Sequence, residues 1–327
     1  MTVIDLPHLA LGDRIQDPLL VLEVSPRTYQ GGTMTTLALG NHTGRIETAP
    51  FFNADQDQVA GVARGDVVQV IGEVGAFNDR RQLKVTSIRV LPAGTVDWHD
   101  LLPSVGDVSR YWKLLDGWRA EIRGPRLRAV LDLFYEDPEF RARYASCPAS
   151  TVGHHAELGG LLKHTAEVAA IGRAMARVAD ADQDLVLAGV LLHDIGKLEA
   201  YRWDGPFSTT ERGHLYGHVV LGSLVLERTV RGTAPMPCTE LELDLLQHLI
   251  LSHHGRQEFG APVPPMTLEA EVLHYADNTS AKTASMHEAL ADDSLFEGDA
   301  LVSTRTVWQL DRRRAFRGES DWGRGEP

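Results

Sequence analysis

The sequence predicts two domains of different structural class, a small all-β barrel followed by a larger all-α domain. Its 327 residues exceed the usual size of a single domain. Up to residue 95 the apolar residues alternate or form short runs, which is typical of strands, and beyond residue 109 they recur at helical spacing. We therefore assign residues 1–95 to the barrel, 96–108 to a linker, 109–310 to the helical domain and 311–327 to a disordered tail.

The order of the predicted strands favours an OB-fold for the first domain. Strand candidates occupy residues 19–24, 33–40, 45–52, 65–77 and 81–91. Residues 54–63 form a short helix or loop between the third and fourth strands. Five strands with a helical interruption after the third is the order of an OB-fold barrel, although another small barrel or a sandwich would show the same periodicity.

The second domain is predicted to be a succession of amphipathic helices. Pro, Gly and Asp are frequent in residues 92–104, which indicates a connecting segment. The helical segments that follow are 111–122, 125–136, 137–146, 158–179, 183–201, 214–231, 240–255 and 268–290. Because only short breaks separate them, we expect helices packed on helices. From residue 311 the apolar periodicity is lost, which predicts disorder.

Composition limits the possible classes of function and location. The net charge of −13 argues against a broadly basic surface for nucleic acid. The charge is uneven, because residues 1–95 hold 8 basic and 10 acidic residues and the remainder holds 24 and 35. Cys147 and Cys238 form no disulfide framework, which favours a reducing cytoplasm. No run of about 18 apolar residues and no signal peptide are visible, so we expect a cytoplasmic protein without a membrane span.

Histidine and aspartate recur within the apolar helices of the second domain. The residues are His164, the adjacent His193 and Asp194, His218, the adjacent His253 and His254, and Asp277. Singly, each has a structural explanation, as a hydrogen-bonded core histidine or as an aspartate at a helix end. All of them would be costly to bury together unless they converge on a metal. Imidazole and carboxylate ligands without thiolate suit Mn²⁺, Fe²⁺, Zn²⁺, Ni²⁺ or Mg²⁺.

Four longer motifs carry a resemblance to a known family. They read HHAELGGLLKHTAEVA (154–169), LAGVLLHDIGKLEAY (187–201), GHLYGHVVLG (213–222) and LILSHHGRQEFGAPVPPMTLEAEVLHYADN (249–278). The pattern H…HD…D is the signature of the HD superfamily of metal-dependent phosphohydrolases. Together with the preceding barrel, the chain resembles the YhaM-type 3′-5′ exoribonucleases from residue 15 to residue 310. The resemblance implies an OB-fold followed by an all-α HD domain.

The resemblance also implies a metal site. Its members would be His164, His193, Asp194 and Asp277 as core ligands, with His218, His253 and His254 as added ligands. Asp194 would bridge two divalent cations, and the pattern leaves open whether His253, His254 or both bind. The expected metal is Mn²⁺, with Fe²⁺, Co²⁺, Ni²⁺, Mg²⁺ or Zn²⁺ as alternatives. One departure is Ser280, where the family pattern has an aspartate, so a secondary acidic contact is missing from that position.

The activity that the resemblance implies is metal-dependent hydrolysis of single-stranded RNA, and also of single-stranded DNA, from the 3′ end to nucleoside 5′-monophosphates. Asp194 and His193 would form the catalytic centre, and Lys197 would neutralise a phosphate oxygen unless it is a solvated helix-end lysine. The alternative function is an HD-type nucleotide or cyclic-dinucleotide phosphohydrolase with an accessory OB domain. A non-catalytic binding module is disfavoured because every core ligand is present. A homo-oligomer is compatible with the sequence.

Further residues are expected to contact the substrate. They are His154, His155 and Lys197 in the helical domain, and Tyr29, Phe77, Arg80 and Arg81 in the barrel. The two histidines precede Gly159 and Gly160, which permit close approach of the backbone. OB-folds bind single strands with a cationic groove and stacking aromatics. Most barrel aromatics would also fit the core, and Tyr29 and Phe77 are surface candidates because they adjoin turn residues.

Overall fold

The computed structural model describes residues 4–29, 32–77, 80–92, 94–153, 155–320 and 322. It divides into two compact units, the first formed by Met1–Val105 with Arg202–Ser208, and the second by Gly106–Tyr201 with Thr209–Pro327. The segment Arg202–Ser208 lies far along the chain from the rest of the first unit, and no sequence feature indicated that it belongs there. The predicted linker, residues 96–108, contains a short helix, α1 (Trp98–Leu101).

The first unit is built on one antiparallel sheet. Its strands are β1 (Arg14–Tyr29), β2 (Gly32–Asn41), β3 (Gly44–Glu47), β4 (Phe51–Phe52), β5 (Val67–Phe77) and β6 (Arg80–Val90). The strands lie in the order β3-β2-β1-β5-β6, and β4 also pairs with β2. Short 3₁₀ helices cover Leu6–His8 and Asn53–Val59, the second at the position of the predicted helical interruption.

The sheet has the strand order expected of an OB-fold, but it is not closed. The predicted third strand is divided into β3 and β4, and Pro50 lies between them. A single isolated parallel bridge joins Thr48 to Leu83 at the far edges of the sheet. Inward-facing residues alternate along the strands, and the core they form includes Leu19, Leu37, Leu39, Val68, Val70 and Leu83.

The second unit is helical, as the periodicity predicted. Its helices are α2 (Ser109–Glu121), α3 (Pro125–Tyr135), α4 (Pro138–Ser146), α5 (Gly160–Ala179), α6 (Gln183–Leu192), α7 (Lys197–Ala200), α8 (Glu211–Arg231), α9 (Glu240–Ser252) and α10 (Leu268–Ala291). Side chains cap several N-termini, and Thr239 and Glu242 form a reciprocal capping box at α9. Two-residue strands β7 (Tyr201–Arg202) and β8 (Ser208–Thr209) pair between α7 and α8. Among the described residues, no helix is both long enough and apolar enough to span a membrane.

The prediction of one continuous helix over residues 183–201 is wrong, because the helix is interrupted in its middle. The helix ends at Leu192, and a turn follows before α7 begins at Lys197. Gly196 in this turn lies directly against α8, where an added Cβ would be 2.0 Å from the carbonyl oxygen of His218. Helix α8 is itself interrupted at Gly217, which has a φ of 70°. The turn therefore packs against α8 where Gly196 meets the backbone of His218 and of Gly222.

Residues 311–317, which fall within the predicted disordered tail, make defined contacts with the residues before them. Val302 pairs with Phe316 and Val307 pairs with Arg313 in isolated antiparallel bridges. Ala315 is buried in a small cluster with Leu310. The pairing consists of single bridges, so it leaves no periodic pattern in the sequence from which order could be predicted.

Candidate metal centre and active site

Five elements of the helical unit bring the predicted ligands to one place. Helix α5 carries His164, the turn after α6 carries His193 and Asp194, and α8 carries His218 immediately after its interruption. His253 and His254 follow the end of α9, and Asp277 lies on α10. His164, His193, Asp194 and His253 are each at most 2% exposed. Such burial of ionisable groups requires partners inside the protein.

The first group of ligands is formed by His164, His193 and Asp277. Nε2 of His164 lies 3.1 Å from Oδ1 of Asp277 and 3.4 Å from Nε2 of His193. Oδ2 of Asp194 lies 3.6 Å from Nε2 of His164 and 3.2 Å from Nε2 of His193. Two imidazole nitrogens and two carboxylate oxygens, one of them Oδ2 of Asp194, therefore lie close together.

The second group is formed by His218, His253 and His254. The other carboxylate oxygen of Asp194, Oδ1, lies 3.4 Å from Nε2 of His218 and 3.9 Å from Nε2 of His253. The ring of His254 lies 4.3 Å from that of His253, measured between centroids. Asp194 thus presents one oxygen to each group, which is the arrangement expected of a bridging carboxylate.

Backbone carbonyls fix the orientation of three of these imidazoles, and the third is His254, whose Nδ1 donates to the carbonyl oxygen of Phe259 at 2.6 Å. Nδ1 of His193 donates to the carbonyl oxygen of Val190, and Nδ1 of His253 donates to that of Ile250, each at 2.7 Å. Because a carbonyl only accepts hydrogen bonds, Nδ1 carries the proton and the lone pair of Nε2 points into the site. This is the usual second partner of a metal-binding histidine.

The described residues fit a divalent cation. Asp194 Oδ1, His218 Nε2 and His253 Nε2 are buried without a hydrogen-bond partner. Leaving such atoms unpaired is costly, and all three face the same point beside Asp194. The donors are imidazole nitrogens and carboxylate oxygens, which suits Mn²⁺, Fe²⁺ or Zn²⁺ rather than a thiolate-seeking metal.

Burial keeps three of the imidazoles in the neutral form that binds metal. It lowers the pKa of His164, and it lowers the pKa of His218 to about 3 with a contribution from the nearby charge of Lys197. Burial also lowers the pKa of His253 well below its usual value, helped by His254. Metal binding at neutral pH therefore displaces no proton from these rings.

Lys197 keeps Asp194 ionised. Burial opposes the charge of Asp194, but Lys197 and His193 outweigh it and hold the pKa of that carboxyl well below its ordinary value. Nζ of Lys197 lies 2.5 Å from Oδ2 of Asp194. Burial opposes the charge of Lys197 too, yet the carboxylate raises the pKa of the amine to about 12. The pair is charged throughout the physiological pH range.

A hydrogen-bonded relay behind His164 contains Glu167, which the sequence did not indicate as a functional residue. Nδ1 of His164 lies 3.1 Å from the hydroxyl of Ser280, which donates to Oε2 of Glu167 at 2.9 Å. Glu167 lies three residues after His164 on α5 and so shares its helix face. Its carboxylate provides the acidic contact that Ser280 itself lacks.

His155, which we predicted to contact the substrate, also contacts this relay. Its Nε2 lies 2.9 Å from Oε2 of Glu167, and the residue is 5% exposed. Its role in contacting the substrate stays a prediction. His154 lies outside the described residues.

A cavity of about 510 Å³ opens onto the metal centre within the helical unit. Of the predicted residues, His164, Lys197, His254 and Asp277 line it. Phe259 and Trp308 also line it, and the sequence interpretation singled out neither of them. The predicted position of Lys197 beside a substrate is therefore compatible with its ion pair to Asp194.

The barrel residues predicted to contact nucleic acid differ in their exposure and in their contacts. Phe77 is 64% exposed, and Tyr29 is partly exposed with an edge-on ring contact to Phe52. The guanidinium of Arg81 donates to the carbonyl oxygens of Pro7 and Leu9, so this side chain binds the N-terminal segment and does not line an open groove. The backbone of Arg80 begins β6, and its side chain lies outside the described structure.

Comparison with known proteins finds the same two domains. An HD domain model matches residues 161–282, and a model of the OB-fold nucleic acid binding domain matches residues 20–91. Both predicted domain types are thereby confirmed. Among solved structures, the second OB-fold domain of replication protein A from Methanococcus maripaludis matches 27% of this chain and 89% of its own at 20% identity, with a TM-score of 0.20, which is too low to carry an argument.

Curated relatives match most of the chain. The 3′-5′ exoribonuclease YhaM of Bacillus subtilis is 32% identical over 286 residues, which cover 86% of this chain and 88% of the relative. The protein of the same name from Bacillus velezensis is 33% identical over 80% of this chain and 82% of its own length. That from Bacillus licheniformis is 32% identical over 88% of this chain and 89% of the relative.

Proposed function

The chain belongs to the YhaM family of 3′-5′ exoribonucleases, and we propose that it shortens single-stranded RNA from the 3′ end in a metal-dependent reaction that releases nucleoside 5′-monophosphates. The observation that carries the proposal is Asp194, whose two oxygens face two separate groups of buried imidazoles. Two cations held about 3.5–4 Å apart by a shared carboxylate are typical of enzymes that cleave phosphodiesters.

The residues that would hold the metals divide at Asp194. His164, His193 and Asp277 would hold one cation, and His218, His253 and His254 the other, with Asp194 shared. Mn²⁺ suits these nitrogen and oxygen donors, so we propose it as the resident metal. When bound, such cations stabilise charge on a phosphodiester and make water more acidic. The neutral rings of His164, His218 and His253 are ready for that role at physiological pH.

Lys197 is the residue that we assign to the phosphate itself. It lines the cavity while its amine is held 2.5 Å from Asp194, so its charge is fixed beside the metal centre. A positive charge in a buried position stabilises the negative charge that develops on phosphate oxygens. His193 and Asp194 are proposed as the remaining catalytic residues, since both lie at the junction of the two groups.

The OB-fold supports a polymeric substrate over a small nucleotide. Phe77, Tyr29 and Phe52 are exposed aromatic residues at the ends of its strands, and exposed rings of this kind stack with bases of a single strand. Residues 1–95 carry 8 basic and 10 acidic residues, so most of the excess negative charge lies outside the barrel. We propose that the barrel binds the single strand whose 3′ end is hydrolysed.

A labelled-RNA assay tests the proposal. Purified protein with Mn²⁺ is incubated with 5′-labelled single-stranded RNA, and in parallel with single-stranded DNA, nucleotides and cyclic dinucleotides. We expect an RNA ladder that shortens from the 3′ end and is absent for Asp194→Ala. Asp244→Ala, which alters an exposed acid on α9, is the control and should retain full activity. Turnover of a small nucleotide with no ladder would instead identify a nucleotide phosphohydrolase.

A further inference from the structure

The cavity at the metal centre has an aromatic wall that the proposed chemistry does not use. Trp308 is 71% exposed and Phe259 is 52% exposed, and both line the cavity together with Lys197 and Asp277. Large exposed aromatic side chains beside convergent polar groups are characteristic of ligand sites. The volume of about 510 Å³ lies within the range of small-molecule sites.

Trp308 is held in place by the same helix that carries Asp277. It begins a 3₁₀ turn, Trp308–Leu310, whose last residue is completely buried. Nζ of Lys282 on α10 donates to the carbonyl oxygen of Gln309 at 2.8 Å. The indole therefore projects from a turn that is fixed relative to α10, and so relative to a candidate metal ligand.

Phe259 is attached to the other group of ligands. Its carbonyl oxygen accepts a hydrogen bond from Nδ1 of His254 at 2.6 Å. Gly260 follows with a φ of 94°, a left-handed conformation that ends the short turn Gln257–Phe259. Each aromatic residue thus lies in a turn whose backbone is hydrogen-bonded to an element that also supplies the metal centre, so little backbone freedom is lost when a planar ligand binds.

We propose that Trp308, with Phe259, forms a stacking subsite for the nucleobase of the 3′-terminal nucleotide. This inference rests on the proposed function, because the metal centre and Lys197 would engage the phosphodiester of the same nucleotide. Every base has a π-face, so the subsite accepts any nucleobase and requires no sequence. Trp308 lies outside residues 20–91 and 161–282, which the family models match.

Calorimetric titration with two probes tests the subsite directly. Ribose 5-phosphate carries a hydroxyl in place of the base of adenosine 5′-monophosphate, and each compound is titrated into the full chain in the presence of Mg²⁺. We expect the wild type to bind the nucleotide more tightly than the sugar phosphate. Trp308→Ala should weaken nucleotide binding about tenfold or more and leave the affinity for the sugar phosphate unchanged. Trp308→Phe, which keeps an aromatic face, should retain most of the affinity.

Trp322→Ala is the matched control, because Trp322 is 82% exposed and does not line the cavity. Nucleotide affinity in Trp308→Ala equal to that of the wild type would overturn the proposal. So would an equal loss in Trp308→Phe, which also keeps the test decisive if the alanine variant does not fold. If the wild type shortens RNA while Trp308→Ala binds normally, the subsite is wrong and the exoribonuclease assignment stands. If the wild type leaves RNA intact, the proposed function itself fails.

Discussion

The hydroxyl of Ser280 donates a hydrogen bond to the carboxylate of Glu167, with 2.9 Å between the two oxygens. The same hydroxyl lies 3.1 Å from Nδ1 of His164, whose other nitrogen faces the metal centre. Ser280 is 1% exposed, whereas the side chain of Glu167 is 37% exposed, so the relay runs from the surface to the buried ring of His164. Ser280 therefore links the carboxylate of Glu167 to the ring of His164, one helix turn away.

Ser280→Ala removes this link and should lower metal affinity about 10- to 100-fold, as the loss of outer partners of metal ligands typically does. Ser280→Asp places a carboxylate directly beside His164 and should retain the affinity. Competition with a chromogenic chelator measures the effect without reference to catalysis. Thr283→Ala is the control, since it removes a hydroxyl from the exposed face of the same helix. Equal affinities for the wild type and Ser280→Ala would show that the relay does not support the metal.

Lys197→Met should destabilise the metal-free protein and impair hydrolysis. The substitution leaves Asp194 buried without its cation, and breaking a buried pair in this way typically costs about 3–5 kcal/mol. Urea unfolding in the presence of a chelator measures this cost. Because Lys197 holds down the pKa of Asp194, the acid limb of the pH-activity profile should move to higher pH. Lys113→Met, on an exposed position of α2, should change neither measurement.

The metal-free protein should lose stability as the pH falls below about 6.5. His218 has a pKa of about 3 in the folded chain, so between these values the unfolded chain takes up a proton that the folded chain does not. Stability therefore rises with pH across this window, by up to about 1.4 kcal/mol per pH unit for one such group. Urea unfolding in a chelator between pH 4.5 and 7 measures the slope. His218→Gln should make the dependence of unfolding free energy on pH less steep. An unchanged slope would contradict the assignment of this dependence to His218.

Phe77→Ala should weaken the binding of long single-stranded RNA and leave nucleotide binding at the metal centre unchanged. The ring is 64% exposed at the end of β5, where a base can stack on it. Removing the ring should cost about 1–3 kcal/mol of RNA-binding free energy. Fluorescence anisotropy with a labelled 30-nucleotide RNA measures the effect. Leu11→Ala removes another exposed apolar side chain of the first unit and is the control. Comparable RNA affinities of Phe77→Ala and the wild type would exclude this face of the barrel.

Gly196→Ala should destabilise the protein and reduce activity together. The added Cβ would meet the carbonyl oxygen of His218 at 2.0 Å and the nitrogen of Gly222 at 2.3 Å, so α8 must move away. Overpacking of this kind typically costs about 1–3 kcal/mol, which thermal unfolding measures. Gly117→Ala is the control, because its Cβ meets no atom within 4 Å on helix α2 and should be neutral or stabilising.

The candidate ligands could be predicted because each is polar in an apolar context. His193 and Asp194 follow an uninterrupted apolar run, where a carboxylate is costly to bury without a partner. The end of α6 at Leu192 could not be predicted, since the apolar pattern continues into α7 and the turn depends on the approach of α8 to Gly196. Tertiary contact decided this boundary, and a local pattern does not contain it.

The residues that support the ligands are less visible in a sequence. Glu167 lies in a helix where a glutamate would ordinarily face water, and its buried partners are Ser280 on α10 and His155 before α5. Trp308 stands in a turn of three residues, too short for any periodicity. Both depend on segments that are distant along the chain, so they became recognisable only when the helices were placed in space.

Gly196 lies against the backbone of His218. The separation between Asp194 and His218 is therefore set by contact between main-chain atoms and not by side-chain packing. Side chains change rotamer at little cost, whereas two backbones in van der Waals contact have no freedom to yield. Substitutions elsewhere in the helical core can thus be absorbed by repacking while the interval between His218 and Asp194 is preserved. The spacing of the site is therefore set by the backbone at Gly196, His218 and Gly222, and it tolerates substitution among the surrounding side chains.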